Sequence, residues 1–119
     1  MSVRACRRIL VVEDEPILAL SLQDLLDDLG YEVVGPAFRI AAALELAASE
    51  AIDAAILDVN MGDGHSYPVA DRLRERGIPY LFATGYGRSG LDPGHERTPV
   101  LQKPYREAQL AAALDELLG

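Results

Sequence analysis

Short apolar runs that alternate with helical segments are the feature that most constrains the fold of this chain. Residues 9–12 are continuously apolar, as in a strand buried on both faces, and the run ends abruptly in three acids at residues 13–15. Pro16 then suits the first turn of a helix, where its missing N–H costs nothing, and Gly30 favours a helix end. Four leucines lie between them at helical spacing: Leu18, Leu22, Leu25 and Leu29.

The same alternation continues along the chain. Strands are predicted at residues 31–35 (ended by Pro36), 52–57 (ended by Asp58), 79–83 and 100–101, and helices at 40–50, from a capping Ser66 to Gly77, and at about 106–118. This alternation indicates an α/β fold in which helices cover both faces of a parallel sheet, with right-handed crossovers. We therefore predict a flavodoxin-like, doubly wound sheet of five strands in the order 2-1-3-4-5.

Two segments depart from the regular alternation. Six of the fifteen residues at 85–99 are Gly or Pro, so the fourth helix is expected to be an irregular crossing with at most one helical turn. Residues 60–64 are expected to form a loop. His65 and His95 lack the spacing of metal ligands, and we predict that both are solvated.

Composition narrows the class of protein. The 119 residues are enough for one domain, residues 1–119, of which 1–7 form an N-terminal extension. A formal charge of −8 argues against binding to nucleic acid or to an anionic membrane, and no apolar run approaches the length of a membrane span. The single cysteine, Cys6, cannot form an internal disulfide, so a reducing cytoplasm is expected.

Polar residues follow the predicted strands where each strand ends. Glu13 and Asp14 follow the first strand, Asp58 follows the third, Thr84 the fourth and Lys103 the fifth. In open α/β sheets, ligands bind beyond the carboxyl ends of the strands at the point where the strand order reverses, here between the first and third strands. We therefore expect three carboxylates to converge there, with a hydroxyl and an ammonium on the same edge.

Three close carboxylates repel one another and are tolerable with a hard divalent cation such as Mg²⁺, which prefers oxygen ligands. Two charges from the cation and one from Lys103 would cancel the three negative charges, so that an incoming phosphoryl group meets a neutral site. Each residue alone has an ordinary explanation, since acids after a strand often begin a helix and a lone lysine is usually a surface charge. Their order at the ends of different strands favours the chemical interpretation.

Four sequence elements, ILVVEDE, AAILDVNM, the threonine of FATG, and LQKP, occur in this order. With them, the chain resembles the receiver domain of two-component response regulators from about residue 8 to residue 118. The resemblance implies that Asp58 accepts a phosphoryl group from a histidine kinase or phosphotransferase, and that the domain is a signalling protein rather than an enzyme. It implies that Asp14, Asp58 and the backbone carbonyl of Asn60 ligate Mg²⁺, with Glu13 on a metal-bound water.

The resemblance also assigns the remaining pocket residues. Thr84 would move to bind a phosphoryl oxygen, Lys103 would pair with it, and Lys103-Pro104 commonly carries a cis peptide in such proteins. The segment PYLFATGYG is similar to the P-F-x-F-A-T-G-Y motif of FAT GUY receivers, with Tyr80 in place of the usual Phe. Those receivers are mostly stand-alone regulators that are tied to general stress signalling and to histidine kinases of the HWE type.

Three features depart from the usual receiver pattern. Val100 stands where an aromatic switch residue is typical, Gly62 stands where a proline is typical, and the fourth helix is broken by Gly and Pro. The common signalling face of such domains is therefore in question. Our hypothesis is that Tyr86 and the glycine-rich loop after Thr84 form the responsive element, because glycine gives that loop backbone freedom. Surface packing of Tyr86 is the alternative.

Four functional hypotheses remain. The first is a phosphorylation-controlled switch that acts by binding a downstream protein, and the second is a phosphate sink or shuttle in a phosphorelay; the sequence does not separate them. The third is a Mg²⁺-dependent phosphohydrolase of the haloacid-dehalogenase type, which Asp58-Val59-Asn60 disfavours because it lacks the second Asp of a D-x-D motif. The fourth is a passive scaffold, which the intact acids, Thr84 and Lys103 disfavour.

Overall fold

Five parallel strands form the main sheet in a computed structural model that describes residues 7–85, 91, 94–95 and 98–119. The strands are β1 (Arg8–Val12), β2 (Glu32–Ala37), β3 (Ala54–Asp58), β6 (Tyr80–Thr84) and β7 (Val100–Gln102), with a separate hairpin of β4 (Asn60–Met61) and β5 (Gly64–His65). The order is β2-β1-β3-β6-β7, so the predicted 2-1-3-4-5 arrangement of the five sheet strands is confirmed.

Helices cover both faces of this sheet, as a doubly wound fold requires. They are α1 (Pro16–Asp28), α2 (Ile40–Ser49), α3 (Tyr67–Glu75) and α4 (Glu107–Leu118). Side chains of β1 alternate between the two faces: Leu10 and Val12 pack in a cluster with α2 and α3, whereas Ile9 and Val11 pack with α1 and α4. Burial on both faces is the reason for the continuous apolar runs in the sequence. Among the described residues, none of the helices is both long and apolar enough to cross a bilayer.

The apolar face of α1 is rotated from the one that the leucine spacing predicts. Ala19, Leu22 and Leu26 are buried, whereas Leu18 remains 45% exposed. The helix begins at Pro16, as expected, and the missing N–H of proline costs nothing at that position.

Strand β2 continues through Pro36 to Ala37, so the prediction that Pro36 ends this strand is wrong. The Gly35-Pro36 peptide is cis, and Gly35 has φ +95°, a conformation that side chains rarely adopt. A Cβ at Gly35 would lie 2.8 Å from the Ala37 nitrogen and 3.2 Å from the Val11 carbonyl oxygen. Because β2 is an edge strand, proline's missing donor is tolerated there.

Residues 60–65 form a small antiparallel hairpin rather than the predicted loop. Asn60 pairs with His65, Met61 pairs with Gly64, and the Ser66 N–H donates to the Val59 carbonyl at 3.0 Å. Ser66 occupies the N-cap position of helix α3, as predicted. Its side chain makes no capping hydrogen bond, so the prediction that Ser66 caps the helix through its hydroxyl is wrong. The hairpin holds the chain close to the end of β3.

Most of the connection between β6 and β7, including Tyr86, lies outside the described residues, so the irregular crossing and the responsive loop stay predictions. His95 contradicts its predicted solvation, because it is only 7% exposed. Its ring stacks on Tyr67 of α3 at 4.6 Å and meets the edge of Phe82 of β6 at 5.7 Å. The His95 ring therefore packs against α3, whereas His65 is exposed, as predicted.

We predict that the two histidines differ in their contribution to stability. His95→Ala removes a buried aromatic contact and should lower the free energy of unfolding by roughly 1–3 kcal/mol. His65→Ala, at an exposed position, is the matched control and should change it by less than about 0.5 kcal/mol. Urea denaturation at neutral pH measures both. Equal, small effects would mean that the His95 ring does not hold the crossing.

Candidate functional site

Three carboxylates come together at the carboxyl end of the sheet. Glu13 and Asp14 follow β1, and Asp58 ends β3, which is the neighbour of β1 with Val12 opposite Leu57. One oxygen from each carboxylate lies within 4.8 Å of the others. Glu13 is buried, and Asp14 and Asp58 are partly exposed. The structure thus brings together the three acids that were expected to meet at the point of strand reversal.

Lys103 reaches this cluster from the end of β7. Its Nζ lies 2.8 Å from Glu13 Oε1, to which it donates a hydrogen bond, and 3.5 Å from Asp58 Oδ2. Its backbone N–H donates to the Thr84 carbonyl at 2.9 Å, and the Lys103-Pro104 peptide is cis, as the resemblance implied. Burial lowers the pKa of Lys103, but the hydrogen bonds and charges of Glu13 and Asp58 together outweigh it and raise the pKa above its ordinary value.

Asp58 has an unusual protonation equilibrium for a carboxyl group. Burial raises its pKa, the Lys103 charge lowers it, and the charges of Glu13 and Asp14 raise it, with a net pKa of about 7. Only 13% of its side chain is exposed. The described residues around Asp58 therefore favour the protonated form of its carboxyl group more than water does. A perturbed carboxyl in a cluster of charges is typical of a functional site.

Glu13 is fixed more firmly than the other two acids. Its backbone N–H donates to the Ala37 carbonyl at 3.0 Å, and its Oε2 accepts a hydrogen bond from the Glu15 N–H at 3.2 Å. Together with the Lys103 contact, these bonds orient both oxygens of the side chain. Glu13 and Lys103 also line a groove of about 390 Å³ beside α1, which Tyr105 borders. Burial and the charges of Glu13 and Asp58 raise the pKa of Tyr105 to about 12, so this phenol stays protonated.

Thr84 and Asn60 are the two other residues expected at this site. Asp58 pairs with Ala83 of β6, so Thr84 lies one position beyond it on the neighbouring strand, where it is buried. Asn60 is exposed in β4, two residues after Asp58. Register therefore places Thr84 beside the end of β3, whereas Asn60 pairs with His65 in the separate hairpin. Val100, at the expected position of an aromatic switch, is partly buried in β7.

The sequence analysis missed one contact of the cluster. The Gly62 N–H donates a 2.6 Å hydrogen bond to Asp14 Oδ2 from the turn between β4 and β5. In the sequence, Gly62 stood out only because it replaces a typical proline, which has no N–H to donate. The replacement of proline by glycine was the sequence feature that could have indicated an additional N–H donor. It could not have identified the acceptor, because Asp14 lies 48 positions away.

The Asp58 pKa predicts how stability depends on pH. Between the ordinary value of 3.8 and about 7, folded Asp58 retains a proton that the unfolded chain has lost, so its contribution to stability falls as pH rises through this window. Asp58→Asn cannot ionise. Its free energy of unfolding relative to the unsubstituted protein should therefore rise across that window and level off above it.

Urea denaturation in metal-free buffer at several pH values measures this difference. Asp24→Asn, which alters an exposed acid on α1, is the matched control and should show no such rise. A difference between Asp58→Asn and the unsubstituted protein that stays constant from pH 4 to pH 7 would contradict the raised pKa of Asp58.

The sequence and the fold of this chain are similar to those of known proteins. The family profile described as Response regulator receiver domain matches residues 9–115. The phyllosphere-induced regulator PhyR of Methylorubrum extorquens is 32% identical over 115 residues, which are 92% of this chain and 43% of that protein. The chain spans about half the length of the curated relatives it matches.

Two solved structures are similar over almost the whole chain. The solution structure of SdrG from Sphingomonas melonis Fr1 is 44% identical, covers 98% of this chain and 100% of that one, and has a TM-score of 0.85. The BeF3-activated conformation of SdrG from Pseudomonas melonis Fr1 is 43% identical over the same shares, with a TM-score of 0.82. With its sheet order and its acidic cluster, the chain belongs to the response regulator receiver domain family.

Proposed function

We propose that this chain is a phospho-acceptor receiver in which Asp58 takes a phosphoryl group from the phosphohistidine of a histidine kinase or phosphotransferase. The position of Asp58, among two acids and within 3.5 Å of the Lys103 ammonium, is the observation that carries this proposal. An Asp58 oxygen attacks phosphorus in line, a P–O bond forms, the P–N bond breaks, and the histidine nitrogen leaves with the bonding electrons.

The donor set suits Mg²⁺. Three carboxylates offer hard oxygen atoms within 4.8 Å of one another, and the ligands would be Asp14, Asp58 and the Asn60 carbonyl, with Glu13 on a metal-bound water. Among the described residues, one ammonium faces three carboxylates, and a divalent cation would cancel the two negative charges that are left. Bound there, the cation would supply positive charge toward the phosphoryl oxygens and favour the ionised, nucleophilic form of Asp58.

Lys103 and Thr84 complete the proposed chemistry. Lys103, held by Glu13 at 2.8 Å, would shift its ammonium toward a phosphoryl oxygen once Asp58 carries the group. Thr84, at the end of β6, would donate its hydroxyl to a second oxygen and thereby couple the acyl phosphate to the segment that follows. In this proposal these residues act on the protein's own phosphorylation and dephosphorylation, and no other substrate is turned over.

The narrower assignments rest on sequence motifs. We infer that residues 1–119 form one receiver domain, with residues 1–7 as an extension, and that it belongs to the FAT GUY group, which the PYLFATGYG segment supports. That group implies a kinase of the HWE type and a part in the general stress response. A charge of −8 and a single cysteine favour a cytoplasmic protein that signals through another protein rather than through nucleic acid or a membrane.

Phosphoryl transfer to Asp58 predicts a defined mass change. Incubation with acetyl phosphate and Mg²⁺ should add the mass of one phosphoryl group to the intact protein, and omission of Mg²⁺ should abolish the addition. Asp58→Asn should remain unmodified, whereas Asp24→Asn, on the exposed face of α1, should be modified like the unsubstituted protein. Intact-protein mass spectrometry reads all four reactions, and full labelling of Asp58→Asn would refute the assignment.

The lifetime of the acyl phosphate separates a switch from a phosphate sink. For a switch, we expect an acyl phosphate that outlasts donor removal, and a downstream protein that is retained by beryllofluoride-treated protein but not by treated Asp58→Asn. Mass spectrometry after donor removal and pull-down with both proteins as bait measure the two properties. Rapid loss of the phosphoryl group, together with identical captures by the two baits, would instead favour a sink or shuttle.

A further inference from the structure

Gly62 makes a hydrogen bond that a receiver with proline at this position cannot make. Its nitrogen lies 2.6 Å from Asp14 Oδ2, which is a short distance for an N–H···O hydrogen bond. The donor and the acceptor belong to segments that follow different strands: Asp14 follows β1, and Gly62 belongs to the hairpin that follows β3. The bond therefore ties these two segments together across the site.

The Gly62 amide is held in place by the hairpin around it. Asn60 pairs with His65 and Met61 with Gly64 on either side of the turn. The next residue, Asp63, accepts a hydrogen bond from the Ile40 N–H at 3.2 Å, which attaches the turn to the start of α2. The donor is thus presented to Asp14 by a fixed turn, so the carboxylate can be oriented by it.

Each of the other two acids already has a partner that orients it. Lys103 and the Glu15 N–H hold Glu13, and Lys103 lies 3.5 Å from Asp58. For Asp14 the corresponding contact is the Gly62 N–H. Partners of this kind orient metal ligands and tune the affinity of a site for its ion.

We propose that Gly62 is a positioning residue for the cation site: its N–H holds one oxygen of Asp14 and thereby fixes the orientation of this carboxylate beside Glu13 and Asp58. This role rests on the proposed function, because it concerns the same Mg²⁺ site. The close approach of Asp14 to Gly62 also supports this role. A Cβ at residue 62 would lie 3.2 Å from Asp14 Oδ2, a contact so close that the carboxylate would have to shift. A side chain at this position therefore disturbs Asp14 even when the N–H is retained.

Two variants separate the N–H from the effect of the added Cβ. Gly62→Ala keeps the donor and adds a Cβ, whereas Gly62→Pro adds a Cβ and removes the donor. Proline is compatible with the preceding backbone, because Met61 lies in a strand and proline favours an extended residue before it. We expect Gly62→Pro to bind Mg²⁺ about tenfold more weakly than Gly62→Ala, and Gly62→Ala to bind no more tightly than the unsubstituted protein.

Titration with Mg²⁺, followed by amide NMR spectra, measures these affinities and verifies that each variant is folded. Equal affinities of the two variants, beside an unsubstituted protein that binds Mg²⁺, would overturn the role of Gly62 and leave the proposed function intact. An unsubstituted protein that binds no Mg²⁺ would overturn the proposed function and this role with it.

A second measurement needs no metal and no variant at residue 62. In metal-free protein the Gly62 amide proton should resonate far downfield, as a short hydrogen bond to a carboxylate requires, and Asp14→Ala should shift it upfield. An amide proton that does not respond to Asp14→Ala would overturn the proposed hydrogen bond.

Discussion

Three carboxylates that approach within a few ångströms repel one another, and the Lys103 ammonium is the charge that this fold sets against them. Its Nζ lies 2.8 Å from Glu13 and 3.5 Å from Asp58, so a single cation serves two of the three acids. Among the described residues no second cation balances the other acids, and burial together with the charges of Glu13 and Asp14 raises the pKa of Asp58 to about 7. The apo site is therefore electrostatically incomplete in a way that a divalent cation corrects. We propose that Asp14 and Asp58 share this cation and that Asp58 alone accepts the phosphoryl group.

The topology of the sheet produces this concentration of charge. Strands β1 and β3 are neighbours, β6 and β7 follow on the other side of β3, and all five strands run parallel. The residue that ends each strand therefore reaches the same edge. Hydrogen bonds from outside β1 and β3 then orient the carboxylates at this edge. The Gly62 N–H of the β4–β5 hairpin donates to Asp14, and the Glu15 N–H and Lys103 donate to Glu13. The sheet places the acids, and these contacts orient two of them.

The sheet and the meeting of the acids were predictable from the sequence because both follow from local patterns. Buried strands appear as apolar runs, and parallel strands bring their carboxyl ends together. The missed features depend on contacts between distant residues. Pro36 continues β2 because Gly35 adopts positive φ at a sheet edge, and His95 is buried because Tyr67 and Phe82 offer it an aromatic surface. No local pattern in the sequence predicts the hydrogen bond from the Gly62 N–H to Asp14.

The most direct test of this account is the location of a bound divalent ion. Crystals grown or soaked with Mn²⁺, a substitute for Mg²⁺ with a measurable anomalous signal, would show the ion in an anomalous difference map. We predict one strong peak between Asp14 and Asp58, at coordination distance from an oxygen of each, with Lys103 still facing the cluster. A peak elsewhere on the protein, with no ion between these two carboxylates at saturating Mn²⁺, would contradict the central claim that the acids of β1 and β3 share one cation.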